Sequence, residues 1–142
     1  MTPKQEVETL MNRAVGFAKV MLSDHGEFHP YGAYLTQGGA IVDVGVETKS
    51  EHPPVREVLE ALKEGLSRRA TSGELRASAL VFDVRIEPRG EASDAIQVNL
   101  EHVSGYCAEV FFPYRRHDAG HVEYFSIFAQ RGTQQIFARI SG

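Results

Sequence analysis

The spacing of apolar residues predicts that the chain begins with a helix. In the first 25 residues the apolar side chains recur at intervals of three and four, as on one face of a helix. Thr2, Pro3 and Gln5 form a helix start, because threonine can cap, proline suits the first helical position and glutamine can close a capping box. Gly26 is placed to end the helix with a left-handed backbone.

The apolar stripe of this first helix is wide. Its main line consists of Val7, Leu10, Met11, Ala14, Ala18, Met21 and Leu22. Val15, Phe17 and Val20 broaden that line, so we expect the helix to make contacts on more than one side.

A β-hairpin is predicted next. Phe28–Thr36 forms the first strand, with Pro30 at its beginning or on a bulge because proline has no amide donor. Gly38 and Gly39 suit a tight turn, and Ala40–Glu47 returns antiparallel with alternate valines facing the core.

A second helix opens at Pro53 and Pro54 and ends before Gly73. Its stripe is narrower and covers the sheet on one side, through Val55, Val58, Leu59, Leu62 and Leu66.

From Leu75 onward the apolar period changes from about 3.6 to 2, which predicts consecutive strands. Apolar and polar residues alternate in 80–87 and 96–101. The carboxylates of Asp83, Glu87, Glu101 and Glu109 mostly fall on strand faces opposite apolar residues, which indicates a solvated or interface face. Residues 106–114 are apolar on both faces, which is typical of a central strand. A last hairpin is expected from 121–129 and 135–140, turning about Arg131 and Gly132.

These elements predict one α+β domain spanning residues 1–142. Its order is α-β-β-α-β-β-β-β-β, with two helices on a mostly antiparallel sheet of five to seven strands. This order of elements resembles that of the profilin-like and roadblock/longin-type domains, in which helices sandwich a five-stranded sheet. The resemblance concerns the order of elements and includes no sequence motif, so it implies a fold and no activity.

Composition narrows the classes of function. The chain has 142 residues, 42% hydrophobic and 24% charged, with a net charge of −4. Neither half is basic, which disfavours nucleic-acid binding. No apolar run reaches the ~18 to 20 residues of a membrane span, and the N-terminus lacks the pattern of a signal peptide. Cys107 is the only cysteine, so we expect a reducing, cytoplasmic location.

Two His-x3-His pairs are candidate metal ligands. His25 with His29 and His117 with His121 each place two imidazoles on one side of a regular element, where zinc could bind. Glu27 and Asp118 lie within the pairs as possible third ligands. Surface histidines in turns are the competing interpretation.

Other candidate sites have strong structural alternatives. Phe28, Tyr31 and Tyr34, together with His29, could form the wall of a small-ligand pocket, or they could fill the core. The Ser23-Asp24-His25 sequence has the residue types of a hydrolytic triad, but triads are assembled from separated positions, so it is better explained as a helix end. Cys107, in mid-strand, is typical of a small buried hydrophobe. We assign no catalytic residue.

The sequence therefore favours a non-enzymatic interaction or regulatory module that forms a homodimer through the first helix or a sheet edge. Two alternatives stay open. One is a metal-binding protein or metal-dependent enzyme using His25, His29, His117 and His121. The other is a small-ligand-binding domain lined by Phe28, Tyr31 and Tyr34.

Overall fold

A computed structural model describes residues 1–46, 51–118 and 120–137. Two helices and seven strands follow one another as α1 (Pro3–His25), β1 (Tyr31–Thr36), β2 (Ile41–Val44), α2 (Val55–Thr71), β3 (Leu75–Ile86), β4 (Ser93–His102), β5 (Cys107–Arg116), β6 (Val122–Tyr124) and β7 (Phe128–Arg131). The described strand pairs are antiparallel. The α+β class and the predicted order of elements are confirmed.

The sheet has the order β2-β1-β3-β4-β5, and β6 and β7 both pair with the outer side of β5. Helix α1 packs on one face and α2 on the other. Strand β3 lies in the middle, and its residues 77–81 are buried on both faces. Among the described residues, no helix combines the length and the apolar character that crossing a membrane requires.

Helix α1 begins and ends as predicted. The Gln5 N–H donates to Thr2 Oγ1 at 3.1 Å and the Thr2 N–H donates to Gln5 Oε1 at 2.8 Å, which completes the capping box. At the other end Gly26 has a φ of 77° and its N–H donates to the Leu22 carbonyl. Local sequence thus fixes both ends of the helix.

A first core fills the space between α1 and the sheet. The helix contributes its buried line of Val7, Leu10, Ala14, Val15, Ala18 and Leu22. Beneath it, Ala33, Ala77 and Ala79 are fully buried. Because alanine side chains are short, α1 can lie close to β1 and β3 at this point.

The Tyr31 hydroxyl enters the backbone of α1. It accepts the Ala18 N–H at 2.9 Å and donates to the Ala14 carbonyl. These two groups are four residues apart and are the pair that bonds to each other in a regular helix, so the hydroxyl bridges the donor and the acceptor of one helical turn. Tyr31 is therefore both a core side chain and a polar link between β1 and α1.

A second core lies under α2. Val58, Leu62, Leu66 and Ala70 pack against Tyr34, Leu75 and Leu80 of the sheet. The C-terminal segment completes this core, because Ile136 and Phe137 are buried in it. Their N–H groups donate to the Glu101 carboxylate at 3.0 to 3.3 Å. Glu101 is thus not on the solvated or interface face that was predicted for it, since the C-terminal segment covers it.

Two predicted strands differ from the structure. Residues 28–30 precede β1 instead of belonging to it, and Pro30, which lacks an amide donor, marks that boundary. The hairpin about Arg131 and Gly132 is wrong within the described residues, because β6 and β7 both pair with β5 and the chain then leaves the sheet. Glu47 and residues 138–140, the ends of two predicted strands, lie outside the described residues.

Candidate functional site

An open pocket of about 960 Å³ lies where the tip of the β3–β4 hairpin approaches the connection between β6 and β7. Its lining comes from residues 85, 88–89 and 91–94 of the hairpin, 113–115 of β5, and 125–128. We call it the hairpin pocket. Strand β3 extends beyond its pairing with β1 at this end of the sheet, so side chains of β3, β4 and β5 contribute to the opening.

Three large apolar side chains of the pocket remain exposed. Phe125 is 45% exposed, Ile127 56% and Phe128 37%. The Phe128 ring stacks on the Phe111 ring of β5, with centroids 4.9 Å apart. We call Phe125, Ile127 and Phe128 the exposed patch. Single exposed hydrophobic residues are ordinary, whereas a contiguous group beside a pocket is typical of a binding surface.

Three arginines and two acidic residues also line the hairpin pocket. Arg85 is paired with Asp94 at 3.0 Å. Within the described residues, neither Arg89 nor Arg115 has an ion-pair partner. Glu123, opposite Arg115 across the β5–β6 pair, lies 2.8 Å from His117 Nε2 instead. Two guanidinium groups are therefore available to an incoming ligand.

The inner wall of the pocket is held by a hydrogen bond that uses the hydroxyl of Tyr114. The Tyr114 hydroxyl donates to Asp83 Oδ1 at 2.7 Å. Burial raises the pKa of Asp83, the hydrogen bond from Tyr114 opposes that rise, and nearby Asp94 adds to it. Burial and the bond to Asp83 also raise the pKa of Tyr114. Tyr114 therefore acts as a hydroxyl donor to Asp83 in the pocket wall.

A separate polar cluster lies at the N-terminal end of α1. Glu6 Oε1 is 2.9 Å from Arg76 Nη2 and 3.1 Å from His102 Nε2. On the other side of the imidazole, Ser104 Oγ is 2.8 Å from His102 Nδ1. Burial favours a higher pKa for Glu6, but the hydrogen bonds to His102 and Arg76 and the positive charge of Arg76 outweigh it, so the pKa is lowered.

The residue types of this cluster are those of a Ser-His-Glu triad, but its hydrogen bonds favour a structural role. The Ser104 N–H donates to His102 Nδ1 at 3.0 Å, the nitrogen that would have to take the serine proton during catalysis. If Nδ1 were protonated, its N–H would point at the Ser104 N–H, and two hydrogen-bond donors would repel each other. The Gly105 N–H already donates to the His102 carbonyl, so it is not free to stabilise an oxyanion. The cluster joins α1 to the β4–β5 turn.

The two histidine pairs lie near each other without forming one group. The Ser23 hydroxyl donates to the Gly120 carbonyl at 3.1 Å, so the end of α1 contacts the turn before β6. The rings of His117 and His121 stack with their centroids 5.1 Å apart, whereas the ring centroid of His29 is 6.3 Å from that of His52. His25 is the last residue of α1 and is exposed. The segments converge, but each pair of imidazoles has its own surroundings.

Across the described ranges, no three His, Cys, Asp or Glu side chains are arranged to hold a metal ion. The zinc hypothesis for His25, His29, His117 and His121, with Glu27, therefore stays a prediction from spacing. Elemental analysis of protein purified without an affinity tag tests it. Less than about one tenth of an equivalent of metal would count against it.

The three aromatic residues predicted to line a small-ligand pocket are divided between the two cores. Phe28 and Tyr31 pack in the core under α1. Tyr34 packs in the core under α2, with the Arg69 guanidinium 5.1 Å from its ring. Residues 31 and 34 point to opposite faces because side chains alternate along a strand. The structure does not bring the three together.

Cys107 is half-buried on β5, where its thiol donates to the Gly132 carbonyl at 3.2 Å. Burial, with a contribution from Glu101, raises the pKa of the thiol. A protonated thiol is a weak nucleophile, which fits the structural role that its position in the strand suggested.

Sequence reasoning missed the residues of the hairpin pocket because they come from four strands. Each arginine and each exposed phenylalanine is unremarkable alone, and their proximity depends on the register of the sheet. One signal was available. Phe125, Ile127 and Phe128 interrupt the alternation of apolar and polar residues in the predicted 121–129 strand, as an irregular edge would.

The chain matches no protein-family model, no curated protein and no solved structure. The resemblance to profilin-like and roadblock/longin-type domains stays one of element order.

Proposed function

We propose that this protein is an interaction module that binds an acidic, partly apolar segment of a partner protein in the hairpin pocket. The observation that carries the proposal is the exposed patch of Phe125, Ile127 and Phe128 beside the exposed guanidinium groups of Arg89 and Arg115, which have no ion-pair partner among the described residues. Aromatic residues and arginine are the types that contribute most binding energy in protein interfaces.

The charge of the site supports an acidic partner. The whole chain has a net charge of −4, yet the pocket has three arginines against two acidic residues, and Asp94 is already paired with Arg85. Arginine binds carboxylates with two parallel hydrogen bonds, and such bonds are stronger where apolar neighbours exclude water. A partner segment with Asp or Glu next to an apolar side chain would therefore fit both the arginines and the exposed patch.

Selection from a random peptide library tests the proposal. Phage displaying peptides of about 12 residues would be selected on the immobilised full chain, and the Kd of enriched peptides measured by fluorescence anisotropy. We expect enriched sequences to combine an aromatic or aliphatic residue with Asp or Glu. The double variant Arg89→Glu/Arg115→Glu should weaken binding by about tenfold or more.

Arg56→Glu is the matched control, because Arg56 is an exposed arginine on α2, away from the pocket. It should leave the Kd unchanged, and all variants should keep the thermal midpoint since the three side chains are exposed. Failure to enrich any peptide, or enriched peptides that bind equally to the double variant, would refute the proposal.

A homodimer is a second candidate, and one observation favours it. Phe17 and Val20 lie three residues apart on α1 and are 54% and 56% exposed. The Phe17 ring packs edge-on against Tyr31, so one of its faces remains outward. Light scattering at about 100 μM should give twice the chain mass, and Phe17→Ser/Val20→Ser should give the monomer mass. A monomeric wild type would contradict this candidate.

We further propose a cytoplasmic location. The single cysteine, Cys107, supports it, since disulfides are typical of secreted proteins of small size. Fractionation of the source cells, with the chain detected by antibody, tests this location, and recovery outside the cytoplasm would refute it.

A further inference from the structure

Strands β6 and β7 form one edge of the sheet that is interrupted by a bulge. Pairing with β5 on the β6 side continues to Phe125, whose N–H donates to the Pro113 carbonyl at 2.9 Å. It resumes where Phe128 stands opposite Phe111. Residues 126–127 therefore oppose a single residue of β5, which is the arrangement of a β-bulge. The bulge lies in the hairpin pocket.

The register of β7 shows which of its backbone groups face outward. The Gly132 N–H donates to the Cys107 carbonyl, and in an antiparallel pair the hydrogen-bonded positions alternate. Residues 128 and 130 thus bond to β5, while the N–H and C=O groups of Ala129 and Arg131 point away from it. Within the described chain β7 pairs with no strand except β5, and its four residues are exposed.

We propose that the partner segment binds by adding a strand to this outward edge of β7, and this inference rests on the proposed function of the hairpin pocket. An exposed edge offers a row of main-chain donors and acceptors to an extended peptide. Here the edge begins at the exposed patch. It ends at Arg131, an exposed arginine without an ion-pair partner among the described residues.

The charges along this edge indicate which kind of segment binds there. Arg89 and Arg115 lie at the pocket end of the edge and Arg131 at the other end, so an acidic strand is attracted at both of its ends. The outward groups of two residues, Ala129 and Arg131, match a short strand with carboxylates near both ends. The occupant is therefore an acidic, extended segment of a partner protein.

Backbone methylation of a selected peptide tests the main-chain bonds. Methylating the nitrogens of alternate peptide residues in two separate series removes donors from one edge of the peptide at a time. We expect one series to weaken binding by about tenfold or more and the other to leave the Kd unchanged. Equal Kd values in both series and in the parent peptide would overturn strand addition.

Ala129→Pro tests the same bonds from the protein side. The substitution removes the outward N–H and spares the ladder to β5, because proline is tolerated on an edge strand when its missing donor faces away. It should weaken binding by about tenfold or more without lowering the thermal midpoint. Ala129→Val keeps the donor and is the matched control. If Ala129→Pro fails to fold, the methylated peptides decide.

The outcomes separate the inference from the proposed function. Strand addition is overturned, and the pocket proposal stands, if the Kd depends on Arg89 and Arg115 but is unchanged in both methylated series and in Ala129→Pro. If no peptide binds, both fail. If Ala129→Pro converts a dimer to a monomer while peptide affinity is unchanged, the occupant is a second copy of the chain and the inference is overturned.

Discussion

Glu6 is a buried carboxylate whose two partners come from elements far along the chain. The substitution Glu6→Gln keeps the volume of the side chain and removes the charge that Arg76 and His102 contact. Losing a buried charged acceptor costs about 1–3 kcal/mol. We expect urea unfolding near neutral pH to show a loss of that size. Glu8→Gln, on the exposed side of α1, should change stability by less than about 0.5 kcal/mol.

The effect of Glu6 depends on pH in a defined direction. The pKa of Glu6 is lower in the folded chain than its usual value of 4.5, so the unfolded state binds more protons in acid. The stabilisation is complete above about pH 4.5 and is lost as the pH falls through the folded pKa. The difference between wild type and Glu6→Gln should close as the pH is lowered, and a difference independent of pH would contradict this.

Tyr31→Phe removes the hydroxyl that bonds to Ala14 and Ala18. We expect a loss of only about 1 kcal/mol near neutral pH, because the Ala18 N–H and the Ala14 carbonyl can bond to each other without the hydroxyl. Burial raises the pKa of Tyr31 from 10.0 to about 12. The unfolded tyrosine therefore ionises first, and its contribution to stability is lost between about pH 10 and 12. Denaturant unfolding at neutral and at alkaline pH measures both effects.

The C-terminal segment is a structural element of the second core. Ile136 is fully buried between α2 and the sheet, and Glu101 accepts its N–H. Ile136→Ala should lower the free energy of unfolding by about 2–5 kcal/mol, since the cavity would be closed on all sides. Ile127→Ala, at an exposed position, should change it by less than about 0.5 kcal/mol. Similar losses for both variants in urea would show that the segment does not seal the core.

Elements whose limits are set locally could be predicted from the sequence. The capping box of Thr2 and Gln5, the left-handed Gly26 and the turn at Gly38 and Gly39 depend on neighbours in the chain, and their prediction was correct. The covering of Glu101 could not be predicted in this way. It depends on a segment 35 residues away, and no local pattern distinguishes a carboxylate under such a segment from one in solvent.

Hydrogen exchange should divide the whole molecule into a protected centre and an open edge. Amides of β3 and β4 that bond across their shared register are expected to exchange slowest, since these strands are internal to the sheet. In β7, Ala129 and Arg131 should exchange faster than Gln130, whose N–H faces β5. NMR spectra after transfer to heavy water measure these rates, and equal rates for the three β7 amides would contradict the proposed register.

The candidate site is a property of the whole molecule, and this explains why the sequence could not reveal it. Arg115 and Arg116 are neighbours, yet Arg115 lines the hairpin pocket while Arg116 donates to the Leu22 carbonyl of α1. Only the assembled sheet separates their roles. Likewise, the spacing of Tyr31 and Tyr34 suggested one ligand wall, and their alternation along β1 placed them in two cores.

The central position of β3 has a consequence for how the chain reaches its native state. β3, β4 and β5 are joined by short turns, so their pairing closes only small loops and can occur early. β1 must instead find β3 across the whole of α2. We therefore expect these three strands to pair first and the N-terminal hairpin to join them later, so a nascent chain would remain incomplete at least until β5, which ends at Arg116, had left the ribosome.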